Sequence, residues 1–207
     1  MIMNRLHAAA AEVDITPAPG VYMTGFAARV TPATGVHDAL KARALLLCDG
    51  RVSLALVSCD LIGFSPAHAR AIRARIAART GMPLPAIMLC CTHTHSAPAS
   101  MPFRGVMGLI DEAWLARTSD AIVALVSTLP ERLAPAQLAG GTTTVAGIGY
   151  NRQDPSRSAS DALRVLAVES LDGARIATLL HYATHAVVLG PRNLQFSADF
   201  PGAAAHA

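Results

Sequence analysis

The chain has 207 residues, 52% of them hydrophobic, which is enough to form the core of one good-sized domain or two small ones. Its 17 basic and 14 acidic residues give a net charge of only +3, and the arginines are scattered rather than arranged in a stripe. This charge pattern argues against nucleic acid as a partner. The aromatic content of 4% offers no stacking surface for bases or sugars.

The chain contains no uncharged apolar segment of the ~18 residues that a transmembrane helix requires. His7 and Glu12 interrupt the apolar N-terminal segment, so we predict no signal peptide. The four cysteines form no CxxC pair and lie in apolar, strand-like runs, which predicts reduced core cysteines in a cytoplasmic protein. If the N-terminus of the protein lies further upstream, this prediction does not exclude secretion. The cysteines are Cys48, Cys59, Cys90 and Cys91.

The first half of the chain alternates strand and helix signals. Residues 42–64 predict two strands around an Asp49-Gly50 turn. Residues 65–81 predict a helix, because Ser65 can cap its start and Gly81 can end it. Residues 85–93 form a short apolar run, typical of a strand buried on both faces. This strand-helix-strand order predicts a parallel crossover unit.

The second half predicts a helix over 111–130, a strand over 136–152 and a hairpin over 162–185. Together these elements predict an α/β fold, with a mixed β-sheet and flanking helices. A last short helix is predicted after Asp199, which we interpret as its cap. The chain ends inside that helix, which favours a chain that is part of a larger domain.

Two histidines follow the apolar run over 85–93, in the sequence CTHTHSAP. In an extended chain His93 and His95 share one face, while Thr92 and Thr94 point the other way. This arrangement suits a metal site, or one metal ligand beside an acid–base group. The alternative is a pair of loop histidines that bind nothing.

A second pair of histidines lies at the end of the predicted hairpin. His181 and His185 are four residues apart, and on a strand they also share a face. A catalytic zinc ion uses three protein ligands and one open position, and two histidine-bearing segments could supply two of the three. For His181 we favour an ordinary strand histidine.

The motifs of the chain resemble those of the neutral/alkaline non-lysosomal ceramidase family, in its N-terminal part. Their order and spacing agree over nearly the whole chain. The stretches CTHTHSAP and HAVVLGPRNLQFSADFPG are the most specific. The matching stretches are AEVDITPAPGVYMTGFA with GVHDALKARALLL, VSCDLIGFS, CTHTHSAP, GYNRQ and HAVVLGPRNLQFSADFPG. The resemblance implies that residues 1–207 are the N-terminal portion of a ceramidase-like catalytic domain.

The resemblance also implies a function. The family consists of zinc-dependent amidases that cleave the N-acyl bond of ceramide-like lipids, so a small-molecule or lipid amide is the expected substrate and zinc the expected cofactor. The resemblance makes His93 and His185 zinc ligands and His95 the active-site histidine beside the metal. It also makes Arg152 a basic active-site residue. His37 and Asp199 match family motif positions without an assigned role. The oligomeric state stays open.

From the chemistry of such a site, Asp60 or Asp199 could orient a ligand imidazole. For both, a turn or cap role is an equal alternative, and for Arg152 the alternative is a surface ion pair. Two departures from the family stand out: Ala97 replaces a usual glycine, and Ala186-Val187 follows His185 where the family has Pro-Thr. The family's other zinc ligands, a Glu and a Tyr, and its Ser-containing segment have no counterpart here.

Two rival hypotheses follow from the same residues. In the first, the chain is an inactive or partner-dependent domain with at most a weak two-histidine metal site. In the second, Cys91 is a nucleophile paired with a histidine, which requires an electropositive environment for its thiolate.

Overall fold

The computed structural model describes residues 6–103, 107–157 and 159–207. Nine strands and three helices lie in these ranges. The strands are β1 His7–Asp14, β2 Gly35–Val36, β3 Lys41–Cys48, β4 Ser53–Cys59, β5 Ile87–Cys91, β6 Ala134–Thr144, β7 Ala162–Ser170, β8 Arg175–Tyr182 and β9 Gln195–Phe196. The helices are α1 Pro66–Thr80, α2 Glu112–Ser127 and α3 Asp199–His206.

Seven strands form one mixed sheet in the order β5-β4-β3-β1-β6-β7-β8. All neighbouring pairs are antiparallel except β4 and β5, which are parallel and connected through α1. The predicted α/β fold and its crossover unit are therefore confirmed. Strand β1 was not predicted, although it lies in the middle of the sheet between β3 and β6.

Helix α1 begins and ends where its sequence signals predict. The Ser65 side chain accepts a hydrogen bond from the backbone N–H of His68 (3.2 Å), and Gly81 ends the helix in the left-handed conformation with φ 72°. Ile72 and Ile76 are its buried residues. They pack with α2 and with one face of β3 and β4 in the main hydrophobic core.

Strand β5 differs from its prediction because it lies at the edge of the sheet. Only Ile87 is buried, whereas Met88 is 55% exposed and Cys90 is also exposed. The expectation of a strand buried on both faces, with Cys90 in the core, was therefore wrong. The position of a strand within a sheet is a tertiary property that an apolar run does not encode.

Strands β6, β7 and β8 extend the sheet beyond the core. Of the residues of β6, only Ala136 is buried, and it packs against Ala8, Leu45 and Val168 in a small second cluster. Strand β6 ends at Thr144, so the prediction of a strand through residue 152 was too long. Among the described residues, no helix is both long enough and apolar enough to cross a bilayer.

The two short strands bring distant loops together near the end of the chain. Strands β2 and β9 pair in parallel, with Val36 opposite Phe196. The buried Phe196 then leads directly into α3. This pairing places the segment after His37 against the start of α3.

Candidate metal centre

His93 follows the end of β5 in a backbone conformation that strands do not have. Its φ is 65°, in the left-handed region, so the prediction of an extended chain at this point was wrong. The backbone N–H of His93 donates to the carbonyl of Leu61 (3.0 Å), and its ring Nδ1 lies 2.7 Å from the carbonyl oxygen of Ile62. Because a carbonyl can only accept, Nδ1 carries the proton and Nε2 is left free to bind a metal ion.

His185 lies in the loop after β8, three residues beyond Tyr182. The prediction that the strand continues to His185 was wrong. The backbone N–H of His95 donates to the carbonyl of Ala186 (3.2 Å), which links the two histidine-bearing loops directly. His181 stays on β8, is exposed and lies opposite Arg164, as expected of an ordinary strand histidine.

The two loops bring His93, His95 and His185 into one cluster. One possible ligand atom from each of the three lies within 4.8 Å of the others. The ring centroids of His95 and His185 are 4.5 Å apart, those of His93 and His185 are 4.9 Å apart, and those of His93 and His95 are 5.2 Å apart. Three imidazoles at these distances offer nitrogen donors that one metal ion could bind.

Several ring nitrogens of the cluster have no protein partner. Both ring nitrogens of His95 and Nε2 of His185 are buried and accept or donate no hydrogen bond among the described residues. Buried polar atoms are normally paired, so unpaired ones require an explanation such as a missing ion. Nε2 of His185 is therefore available to a metal ion, and the His95 ring is available to a metal ion or to a proton.

The surroundings lower the pKa values of His95 and His185. Burial, followed by the nearby His185 and His93, lowers the pKa of His95 to about 4, and the backbone of Gly25 opposes this only weakly. Burial, His93 and then Arg152 lower the pKa of His185 as well. Neutral imidazole is the form that binds metal, so the lowered pKa values of His95 and His185 favour metal binding near neutral pH.

Gly25 sets the position of the His95 ring. A Cβ at Gly25 would lie 2.4 Å from Cγ of His95, and the glycine has a φ of 106° that side chains rarely adopt. Phe26 packs edge-on against the same ring, with 5.0 Å between centroids. Sequence reasoning assigned no role to this segment, although the MTGFA stretch belongs to the motifs that carry the family resemblance.

Arg152 lies close enough to His185 for its positive charge to contribute to the lowered pKa of that imidazole. The loop that carries it approaches the segment before His185 closely, because a Cβ at Gly149 would lie 2.5 Å from Oγ1 of Thr184. His37 is exposed, and its Nδ1 lies 2.8 Å from a carboxylate oxygen of Asp38. The structure therefore brings Arg152 near the cluster, while His37 pairs with its neighbour.

Neither acidic candidate is hydrogen-bonded to a cluster histidine. The buried Asp60 accepts hydrogen bonds from the backbone N–H of Lys41 (2.9 Å) and from Nη1 of Arg43 (2.8 Å). Asp199 accepts from the backbone N–H groups of Val188 (3.3 Å) and Leu189 (3.0 Å), and so fixes the loop that follows His185.

Asp199 does not cap α3 from outside. It is the first residue of the helix, it has a φ of 57°, and Ala198 occupies the capping position. Ala97 is buried without a positive φ, so its replacement of a glycine requires no strained backbone.

Cys91, the candidate nucleophile, is not activated by its surroundings. Burial, assisted by Cys90 and Asp60, raises the pKa of the Cys91 thiol to about 12. A thiol with such a pKa is protonated at neutral pH and is a poor nucleophile. All four cysteines are free, and the hypothesis of a cysteine enzyme loses its physical basis.

The fold and the cluster together define a mixed α/β protein with a three-histidine candidate metal centre. Residues 7–207 match the family described as neutral/alkaline non-lysosomal ceramidase, N-terminal. The chain belongs to that family. No curated protein sequence is significantly similar to it.

Two solved structures share the fold. The neutral ceramidase from Pseudomonas aeruginosa aligns with a TM-score of 0.85 at 22% identity, over 96% of this chain and 35% of that one. A structure titled "Ceramidase complexed with C2" aligns with a TM-score of 0.85 at 23% identity, over 96% of this chain and 34% of that one. The chain thus spans about a third of the length of these ceramidases.

Proposed function

We propose that the chain carries the metal-binding part of a zinc-dependent amidohydrolase that cleaves an N-acyl amide, such as a ceramide-like lipid. The observation that carries this proposal is the cluster of His93, His95 and His185, with one ligand atom from each within 4.8 Å of the others. Membership in a ceramidase family supports hydrolysis. Residues 1–207 would form the N-terminal portion of the catalytic domain.

The donor set fits zinc. Zinc accepts neutral imidazole nitrogens readily, and its catalytic sites keep one position open for water or substrate. His93 and His185 would hold the ion, and the carbonyl of Ile62 would orient the His93 ring through Nδ1. Zinc bound here would supply a Lewis acid for the amide carbonyl and lower the pKa of a water ligand toward ~7.

The remaining side chains would handle the proton and the developing charge. His95 lies against both proposed ligands and has no partner on either ring nitrogen among the described residues, so it is free to pass a proton to the leaving amine. Arg152 would hold an oxygen of the reacting amide with its planar fork of donors, an arrangement that lysine does not reproduce. The phenyl edge of Phe26 would keep the His95 ring in place.

A partner-dependent domain without activity of its own is the second candidate. It is favoured by the exposure of β6, in which Ala136 is the one buried residue. A sheet region with so little cover is typical of a surface that another segment or protein packs against. In this case the histidines would bind metal without turnover.

Zinc binding and hydrolysis, measured on the full-length native protein that contains these residues, separate the candidates. Metal-free protein is titrated with zinc by calorimetry, and the loaded protein is assayed for release of fatty acid from a short-chain ceramide. The amidase proposal predicts binding near one equivalent and hydrolysis, both lost in His93→Ala and retained in the control His181→Ala. Binding without hydrolysis would favour the partner-dependent domain, and no binding would refute both.

A further inference from the structure

Arg29 is a buried arginine beside the histidine cluster. It is 4% exposed. Its Nη1 donates to the backbone carbonyl of His95 (2.7 Å) and lies 3.2 Å from that of Thr24. Its guanidinium carbon lies 5.1 Å from the ring centroid of Phe26, which also packs against the His95 ring. Arg29 therefore contacts the backbone of His95 directly and packs on the same aromatic ring as its imidazole.

The other edge of the same guanidinium has no partner. Nε and Nη2 of Arg29 are both buried and form no hydrogen bond among the described residues. These two N–H groups lie side by side and form the fork that binds the two oxygens of a carboxylate. A buried guanidinium without a counter-ion is strongly unfavourable, because the charge has lost its hydration.

The chain contains no acidic residue that pairs with this fork. None of the ion pairs formed by the described residues includes Arg29. All 14 acidic residues lie within the described ranges, because positions 1–5, 104–106 and 158 contain neither Asp nor Glu. A carboxylate for Arg29 must therefore come from outside these 207 residues.

Arg29 also lines a cavity that could admit such a group. The cavity has a volume of about 280 Å³, and its other walls include Tyr22, Val30 and Leu109. Val30 is 76% exposed and Leu109 is 66% exposed, so apolar side chains border the cavity on its solvent side. An arginine in an otherwise largely apolar wall is suited to a ligand with one charged end and one hydrocarbon end.

We propose that Arg29 binds the carboxylate of an acidic N-acyl amide, so that the substrate class of this site includes N-acylated amino acids. In such a molecule the carboxylate is one carbon away from the amide nitrogen. Arg29 is near enough to the cluster for one substrate to contact both, since its Nη1 donates to the backbone carbonyl of His95 (2.7 Å). The proposal rests on the amidase function and assigns Arg29 the selection of substrate.

The test compares two ligands that differ only in charge. N-octanoylglycine and N-octanoylglycinamide are titrated into metal-free protein, which excludes both turnover and direct binding of the carboxylate to zinc. The Nε–H resonance of Arg29, assigned with the Arg29→Lys variant, reports contact with the ligand. We expect the acid to shift this resonance and to bind about tenfold more tightly than the amide.

The variants isolate the role of the fork. Arg29→Gln keeps N–H donors for the carbonyls of His95 and Thr24 but loses the charge, so its preference for the acid should fall to about one. Arg51→Gln, which changes an exposed arginine in the turn after β3, should keep the full preference. Equal affinity of the wild-type protein for acid and amide would overturn the proposal.

If the variants fail to fold, the Nε–H resonance of Arg29 in the wild-type protein still tests the proposal. If acetate shifts the Arg29 signal at the same concentration as N-octanoylglycine, the acyl chain contributes nothing and the assignment to an acyl amide is wrong. Failure of the amidase function is distinguishable from failure here, because loss of zinc binding or ceramide hydrolysis would leave the acid-to-amide ratio unchanged.

Discussion

At the scale of single residues, Gly25 leaves the space that the His95 ring occupies. We expect Gly25→Ala to weaken zinc binding by at least about tenfold, because a displaced His95 ring would disturb the His93 and His185 rings that it packs against, and loss of such support typically costs this much. The new methyl group would lie 2.4 Å from Cγ of His95 and would force the ring to move. The change is measured by competition with a chromophoric zinc chelator.

A second glycine provides a matched control. Gly20 has nearly the same backbone conformation, with a φ of 104°, but nothing lies within 4 Å of an added Cβ. Gly20→Ala therefore introduces the same backbone strain without the contact to His95. If both variants lost zinc affinity equally, strain in the backbone rather than displacement of His95 would be the cause.

The residue scale also shows where prediction from sequence reaches its limit. The pair His93 and His95 was recognised from spacing and family motif, but the left-handed backbone at His93 has no signature in a non-glycine residue. The roles of Gly25 and Arg29 were missed because both depend on contacts with residues about 70 positions away. Such contacts exist only once the chain has folded.

At the scale of elements, local sequence signals were sufficient to predict the helix and the hairpins. The pairing of strands that are distant in the sequence could not be predicted from such signals. The cap at Ser65, the glycine at 81 and the Asp-Gly turns predicted α1 and both hairpins, because each signal acts on its own few residues. Strand β1 has an alanine-rich sequence of weak strand propensity. Its place beside β3 is fixed by pairing over all eight of its residues, which propensity cannot reveal.

Asp38 attaches the start of α3 to the loop after β2. Its carboxylate accepts hydrogen bonds from the Ser197 hydroxyl and from the backbone N–H of Ala198 (2.7 Å). Burial alone would raise the pKa of Asp38, but these hydrogen bonds and His37 outweigh it, so the pKa is lowered. A carboxyl group with a lowered pKa in the folded state stabilises that state when ionised.

This shift gives a prediction with a definite pH dependence. The stability from Asp38 is fully present above its unfolded pKa of 3.8 and is lost as the pH falls through the lower folded value. At neutral pH, Asp38→Asn should lower the free energy of unfolding by about 1 kcal/mol, because the carboxylate is partly exposed. Urea unfolding at pH ~6 and pH ~3 should show this difference shrinking in acid. A difference independent of pH would contradict the ionic role.

At the scale of the whole molecule, the histidine cluster connects two distant parts of the chain. His95 follows the edge strand β5, whereas His185 follows β8 at the other end of the seven-stranded sheet order. A hydrogen bond from the N–H of His95 to the carbonyl of Ala186 joins the two loops at this point, beside the ring contacts of His185. A metal ion bound by both loops would therefore act as a long-range cross-link of the fold.

Such a cross-link stabilises only the folded state, because the unfolded chain does not hold the three imidazoles together. At a free zinc concentration of ~100 times Kd, binding to the folded state alone should raise the free energy of unfolding by about 2.7 kcal/mol. For a chain of this size each kcal/mol raises Tm by about 2–4 °C, so zinc should raise Tm by about 5–10 °C. Scanning fluorimetry with and without zinc measures the shift.

The variants decide whether the shift arises at this site. His93→Ala and His185→Ala each remove a donor from one of the two loops and should abolish most of the zinc-dependent rise in Tm. His181→Ala removes an exposed histidine of β8 that lies outside the cluster, and it should keep the whole rise. A rise that survived in both cluster variants would place the stabilising zinc elsewhere on the molecule, and the histidine cluster would then lose its role in holding the two ends of the sheet together.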